Sequence, residues 1–222
     1  MIQPVWRRLA PVLILSVWIS APARAETGQP AVLDTLLATY EKVETLNADF
    51  VQESRFAGFS TARRFAGVVN IQRPDRMRWD YRDGSDQQIY VNGREVTVYA
   101  PGMQQAIVSI LSPASDGQIP IHLLSDVTGL TRTYSVEETA PHTLRLTPRE
   151  LSPQTPERID LELEPDSGLI HRVTMHLPGG NRSDITFSGQ TVNGGVAAER
   201  FSFSAPKGTH VVRPEALPGG TR

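Results

Sequence analysis

Five histidines, a few neighbouring carboxylates and a run of arginines are the residues of this 222-residue chain whose types and spacing could do chemistry. His122, His142, His171, His176 and His210 contain no i, i+4 pair and no H-E-x-x-H pattern of the kind that holds zinc. His171 and His176 stand five apart on an alternating segment, which points them to opposite faces. The chain has no cysteine, which removes thiolate metal sites, disulfides and a cysteine nucleophile. G-x-S-x-G, P-loop and G-x-G-x-x-G motifs are missing, and with them the commonest hydrolase, NTPase and dinucleotide signatures. Glu137-Glu138 and Glu162 with Glu164 lie on segments where solvated strand faces carry charge, so they do not stand out as an acid/base pair. No catalytic residue, metal or cofactor is assigned, and the chain reads as a non-enzyme. Arg55, Arg63, Arg64, Arg73, Arg76, Arg78 and Arg82 fall within 28 residues. They could form a basic face for an acidic partner or anionic head groups. The plainer reading is arginine filling the wet side of successive strands.

The elements that must position these residues are mostly strands. Val32, Leu33, Leu36, Leu37, Tyr40, Val43 and Leu46 recur at helical spacing, which predicts an amphipathic helix of about four turns whose apolar stripe needs a sheet to cover. From Ala48 onward the period changes to two. Met77, Trp79 and Tyr81 alternate with Arg76, Arg78 and Asp80. Ile159, Leu161 and Leu163 alternate with Arg158, Asp160 and Glu162. Asn92-Gly93 predicts a type I′ hairpin, and Pro165 to Gly168 and Pro178 to Asn181 predict further turns. The segment from Ser112 to Asp126 breaks the rhythm: Pro120 followed by Ile121, Leu123 and Leu124 predicts a short inserted helix, with Gly129 closing the excursion. Ten or eleven strand candidates, without a fixed repeat, predict a mainly β (α+β) chain: an incomplete antiparallel β-barrel, or strongly curved half-barrel, covered by lid helices.

The N-terminus reads as an export signal. Arg7 and Arg8 precede an apolar run from Leu9 to Ile19, and Ala23-Arg24-Ala25 is the small-x-small pattern a signal peptidase recognises. The run is too short to cross a hydrocarbon core of about 30 Å, so cleavage after Ala25 is favoured over a retained anchor or a buried helix. The expected organisation is a signal peptide over 1–25, one domain over 26–213 and a flexible tail over 214–222. Removing the leader takes Arg7, Arg8 and Arg24 from the 22 Lys and Arg, leaving 19 against 24 Asp and Glu, a net charge of −5. That balance favours solubility and does not suggest nucleic acid as a partner. No cysteine follows Ala25 to carry a lipid. The expected product is a freely diffusing monomer in the periplasm.

The most distinctive stretch runs from Val69 to Tyr81: two strands joined by a tight turn at Arg73-Pro74-Asp75, with Ile71 before the turn and Met77, Trp79 and Tyr81 after it on one apolar face. This stretch resembles the LolA family of periplasmic outer-membrane lipoprotein carriers, in which an Arg-Pro turn precedes an aromatic-rich strand. The resemblance extends in family order to Ala48-Asp49-Phe50-Val51-Gln52, to Ile89-Tyr90-Val91-Asn92-Gly93 followed by Val98 to Pro101, and to Phe201 to Gly208. It covers nearly all of the chain beyond the leader. Departures are Ala100 before Pro101, where the family often carries an aspartate or asparagine, and the basic Arg63-Arg64 at the start of the second strand.

The resemblance implies an apolar cavity under a lid that shields lipoprotein acyl chains. The residues matching its walls are Phe50, Val69, Ile71, Met77, Trp79, Tyr81, Ile89 and Val91, with Ile121, Leu123 and Leu124 as the lid helix. By the same resemblance Arg73 latches the lid by hydrogen bonding helix backbone. The implied partners are acylated lipoproteins as cargo, an inner-membrane ABC-type lipoprotein-releasing complex and an outer-membrane LolB-like receptor. Two other functions share the fold: a carrier of a glycolipid or another amphiphile, and a periplasmic lipid-sensing module.

Overall fold

The alternating segments pair into one sheet in the computed structural model, which describes residues 30–111, 120–153 and 155–213. The expected signal peptide (1–25) and tail (214–222) lie outside the described residues. Twelve strands are present among the described residues: β1 (Thr45–Arg55), β2 (Arg63–Gln72), β3 (Arg76–Asp83), β4 (Gln88–Asn92), β5 (Glu95–Ala100), β6 (Gln105–Ile110), β7 (Tyr134–Ala140), β8 (Thr143–Pro148), β9 (Arg158–Leu163), β10 (Ile170–Leu177), β11 (Asn181–Val192) and β12 (His210–Val212). Their order is β12-β6-β5-β4-β3-β2-β1-β11-β10-β9-β8-β7. Two antiparallel meanders are therefore joined through the long β1–β11 ladder, and β12 adds a short parallel edge beside β6. No ladder joins β12 to β7, so the sheet is curved but open.

Inward positions follow the period of two. Leu46, Ala48 and Phe50 on β1, Val69 and Ile71 on β2, Met77 and Trp79 on β3, Ile159 and Leu161 on β9 and Ile185 and Phe187 on β11 are all buried in one cluster. The helical pieces close that cluster from the open side: α1 (Ala31–Glu41), α2 (Ile121–Ser125), a 3-10 turn at Val127–Gly129 and α3 (Leu130–Thr133). α1 buries Leu33, Leu36 and Tyr40, one stripe at helical spacing.

Four sequence expectations need correction. The first helix ends at Glu41, three turns rather than four. Asn193 captures the chain there: its side chain accepts from Glu44 N at 2.8 Å and donates to Lys42 O at 2.9 Å. The orphan groups at the helix end are thus met from across the fold, and Leu46 continues the apolar spacing from within β1, paired with Ile71 and Val192. The β4–β5 hairpin forms, but its loop residues are Gly93 and Arg94, with φ +61° at Gly93 and no positive φ at Arg94. That is the type II′ pattern, glycine at the first central position. The helical excursion continues past Gly129 into α3. The twelfth strand is β12, three residues long, too short to show a period.

The outer face carries the arginines on carboxylates. Asp184 is the most enclosed, with a side chain 4% exposed, receiving hydrogen bonds from Arg182, Arg172, Arg55 and Thr174 at 2.6–3.3 Å. Burial pushes its carboxyl up, but the bonds from Arg182 and Thr174 and the charges of Arg182 and Arg172 outweigh it and hold the pKa below its ordinary 3.8. A depressed folded value means the stabilisation is complete above about pH 3.8 and is lost as pH falls through the folded value. Asp184→Asn should therefore lower stability at pH 7 by about 2 kcal/mol and flatten the acid limb of a Tm-against-pH profile. An unchanged acid limb would show that Asp184 is not the group being titrated.

Candidate functional site

Phe50 lies at the centre of the concave face. Its ring meets Trp79 edge to face at 4.8 Å and Tyr81 at 5.1 Å, and Trp79 in turn meets Phe187 at 6.1 Å. These strands are adjacent because β1 pairs with both β2 and β11, and β2 pairs with β3. Gly67 on β2 leaves room for the arrangement: a Cβ there would stand 2.0 Å from Asp80 O and 3.0 Å from the Phe50 ring. Trp79 Nε1 donates to Met77 Sδ at 2.8 Å, which meets the one polar atom of the indole.

Phe50, Val69, Ile71, Met77, Trp79, Ile89 and Val91 are all brought into the buried cluster, together with Ile121, Leu123 and Leu124 of α2; Tyr81 packs against it, half-buried. The helices occupy the concavity directly, so the apolar face is covered rather than open. A groove of about 520 Å³ lies elsewhere, beside α1, lined by Thr35, Thr39, Lys42, Val43, Leu169 and Val192 among others.

Arg73 holds the cover. It follows β2 at the turn into β3, where its own N–H donates to Glu44 O at 2.9 Å and the Arg73-Pro74 peptide is cis. One guanidinium nitrogen donates to the backbone carbonyl of Tyr40 in the last turn of α1, and the other donates to Thr128 Oγ1 at 3.1 Å. A cation at a helix C-terminus meets an orphan carbonyl and the negative end of the dipole. Thr128 is itself oriented by Asp126, whose Oδ1 accepts from Gly129 N at 2.9 Å and Thr128 Oγ1 at 3.3 Å, while its Oδ2 pairs with Arg132 at 2.6 Å. Arg73 therefore bridges α1 to the turn after α2, and its contact with the latter is to a side chain rather than to backbone. Arg73 Nε is buried with no partner among the described residues. Burial pushes the Tyr40 hydroxyl up to about 12, against the opposing hydrogen bond from Ile170 N and the charge of Arg73. It stays a neutral phenol that ties α1 to β10 at 3.3 Å.

Of the other arginines, Arg55, Arg64 and Arg78 pair with carboxylates, Arg63 stacks over Phe56 and Arg76 reaches Gln72. The described residues contain no group of three metal-binding side chains and no helix long and apolar enough to cross a membrane. His176 hydrogen bonds Asp160 and Arg158, and His171 lies 3.8 Å from Glu164.

Sequence reasoning laid α1's stripe of Leu33, Leu36 and Tyr40 over a sheet but counted only Ile121, Leu123 and Leu124 among the lid residues. It also missed the β8 to β11 half of the wall, legible as alternation at Ile159, Leu161, Val173 and Met175. Nothing in the sequence marked Thr128, which is 55 residues from Arg73.

A protein-family model for "Outer membrane lipoprotein carrier protein LolA" matches residues 41–204, most of the chain. The chain is 30% identical over 209 residues to the outer-membrane lipoprotein carrier protein of Pseudomonas syringae pv. tomato, covering 92% of this chain and 96% of that one. It is 29% identical over 210 residues to the same protein of Pseudomonas fluorescens, covering 93% and 98%. Among solved structures, an uncharacterised conserved protein from Thermus thermophilus has a TM-score of 0.50 at 14% identity, covering 82% and 97%, a likeness of fold alone. The open curved sheet, the apolar face under helices and the family match over residues 41–204 lead to one conclusion: this chain belongs to the LolA family of carriers, which are not enzymes.

Proposed function

We propose that this protein is a periplasmic carrier that takes the acyl chains of lipoproteins onto its concave face, moving them from an inner-membrane ABC-type releasing complex to an outer-membrane LolB-like receptor. The observation that carries the reading is the cover: an aromatic and aliphatic concavity filled by short helical pieces, with Arg73 bridging two of them. The export-type leader supports the compartment, and the family match supports the cargo class.

An acyl chain moved from a bilayer into water loses about 0.8 kcal/mol per CH₂, so a 16-carbon chain costs on the order of 12 kcal/mol. A carrier must offer a comparable apolar surface and still surrender the cargo. Helices that refill the concavity do both, because they compete with the acyl chain and hide the same surface when it leaves. A polar latch sets the balance between covered and loaded states by a few kcal/mol. No nucleotide chemistry is needed within this chain.

The test is competition. The purified protein should bind a hydrophobic fluorescent probe saturably, and both a long-chain fatty acid and an acylated lipoprotein should displace it. Absence of saturable binding would contradict lipid carriage. Mass spectrometry of lipid extracted from protein purified from its own periplasm identifies the cargo. Recovery of a glycolipid instead of acylated lipoprotein would move the reading to another amphiphile.

A further inference from the structure

The inward face changes character along its length. On β1 the inward series Leu46, Ala48 and Phe50 gives way to Gln52 and Ser54, all five buried. On β11 Ile185 is followed towards the same end by Ser183, and on β3 Trp79 is followed by Tyr81. Strand pairing places these positions together: Ser54 lies opposite Ser183, and Gly67 is shared between Phe50 and Tyr81. The side chains meet. Gln52 Nε2 donates to Ser54 Oγ at 3.1 Å and to Ser183 Oγ at 3.3 Å, and Gln52 Oε1 accepts from the Tyr81 hydroxyl at 2.7 Å. Gln52, Ser54 and Ser183 are 2%, 1% and 0% exposed.

This cluster sits at the far end of the interior from the latch. Thr45, at the start of β1, pairs with Gln72 beside Arg73, whereas Ser54 pairs with Arg63 at the other end of the same ladder. Packing does not call for it, since leucine at position 52 and alanine at positions 54 and 183 would fill nearly the same space without polar groups to satisfy. The cluster is also neutral. The charged neighbours in sequence, Arg55 and Asp184, hydrogen bond one another on the opposite face of the sheet. Among the described residues a carboxylate or phosphate would find no countercharge in the cluster, whereas a carbonyl oxygen would find hydroxyl and amide donors that can turn towards it. An acyl chain lying along the apolar part of the face ends, chemically, in such a group: the ester or amide that joins it to the rest of the amphiphile.

We propose that Gln52, Ser54, Ser183 and the Tyr81 hydroxyl form a subsite for a neutral ester or amide carbonyl of the cargo, placed where the apolar face ends. The subsite rests on the carrier reading and adds a polarity to it: acyl chains towards Arg73, linkage towards Ser54. It exchanges hydrogen bonds within the cluster for hydrogen bonds to cargo, so it favours acylated glycerol over plain hydrocarbon at little cost to the empty protein.

The probe is 1,2-dipalmitoylglycerol carrying ¹³C at both carbonyls, loaded from vesicles onto the purified protein and read by isotope-difference infrared spectroscopy. A bound carbonyl band at lower wavenumber than that of the same lipid in hexane is expected. In Gln52→Met and in Tyr81→Phe, which keep side-chain volume, the shift should shrink and binding weaken roughly five- to tenfold. Should Gln52→Met fail to fold, Tyr81→Phe and Ser183→Ala, each lacking one oxygen, carry the same expectation. An unshifted band on protein that holds the lipid, or a shifted band unchanged in the variants, would overturn the subsite and leave lipid carriage standing. No saturable uptake of the lipid would overturn both.

Discussion

Arg73→Leu should fold, bind acylated cargo more tightly than the parent, and release it roughly 10- to 100-fold more slowly. The guanidinium contacts Tyr40 O on α1 and Thr128 Oγ1 beside α2, so both partners stand on the pieces that cover the concavity. Removing them raises the free energy of the covered state and leaves the loaded state untouched, so the equilibrium moves towards cargo. Charge-assisted hydrogen bonds contribute about 1.5–3 kcal/mol, which sets the expected factor. The buried cluster of Phe50, Trp79 and the helices does not include Arg73, so the fold is retained. Release is measured as transfer of labelled lipoprotein to acceptor vesicles, with circular dichroism as the check on folding. Equal transfer rates for parent and variant would remove Arg73 from the release step.

Thr39→Cys with Gly168→Cys should make binding switchable. A Cβ at Gly168 stands 3.5 Å from Thr39 Cβ, at the short end of disulfide geometry, and the bond would tie α1 to the β9–β10 turn. The chain has no cysteine of its own, so no other thiol competes. Gly168 has φ +69°, and a cysteine there costs on the order of 1–3 kcal/mol in strain. The covered state has α1 seated on the sheet through Leu33, Leu36 and Tyr40. If cargo must displace it, the oxidised protein should lose saturable lipid binding by more than about 100-fold and regain it on reduction. A 100-fold change corresponds to about 2.7 kcal/mol, well below the burial at stake for one acyl chain. Equal binding in both redox states would mean that α1 stays in place while cargo enters.

The strands were legible because one face is buried and the other wet, so Met77, Trp79 and Tyr81 announced both an element and a face before any pairing was known. Turns were legible where glycine or proline dictated them, as at Arg73-Pro74 and Pro178 to Gly180. The end of α1 was not legible, because Val43 and Leu46 reach the same core from coil and strand and so extend a helical spacing beyond the helix. What holds the chain at the helix end is Asn193, 149 residues along the sequence from Glu44 and 151 from Lys42. The site divided in the same way. Alternation gave the buried face of each strand, whereas the assignment of wall residues to a cavity and of Arg73 to a latch both followed from a resemblance. Its partners on α1 and at Thr128 depend on how the cover docks, which no local pattern encodes.

Trp79 offers the most direct test of carriage on the concave face. Trp6 and Trp18 precede residue 26, so a chain beginning there has Trp79 as its sole tryptophan. It is fully buried at the centre of the concavity. A fatty acid brominated along its chain, titrated against that protein, should quench the tryptophan emission saturably, with the midpoint found in probe displacement, and the unbrominated fatty acid should reverse it. Saturable binding that leaves Trp79 unquenched would place the cargo elsewhere and contradict the concave face as its site.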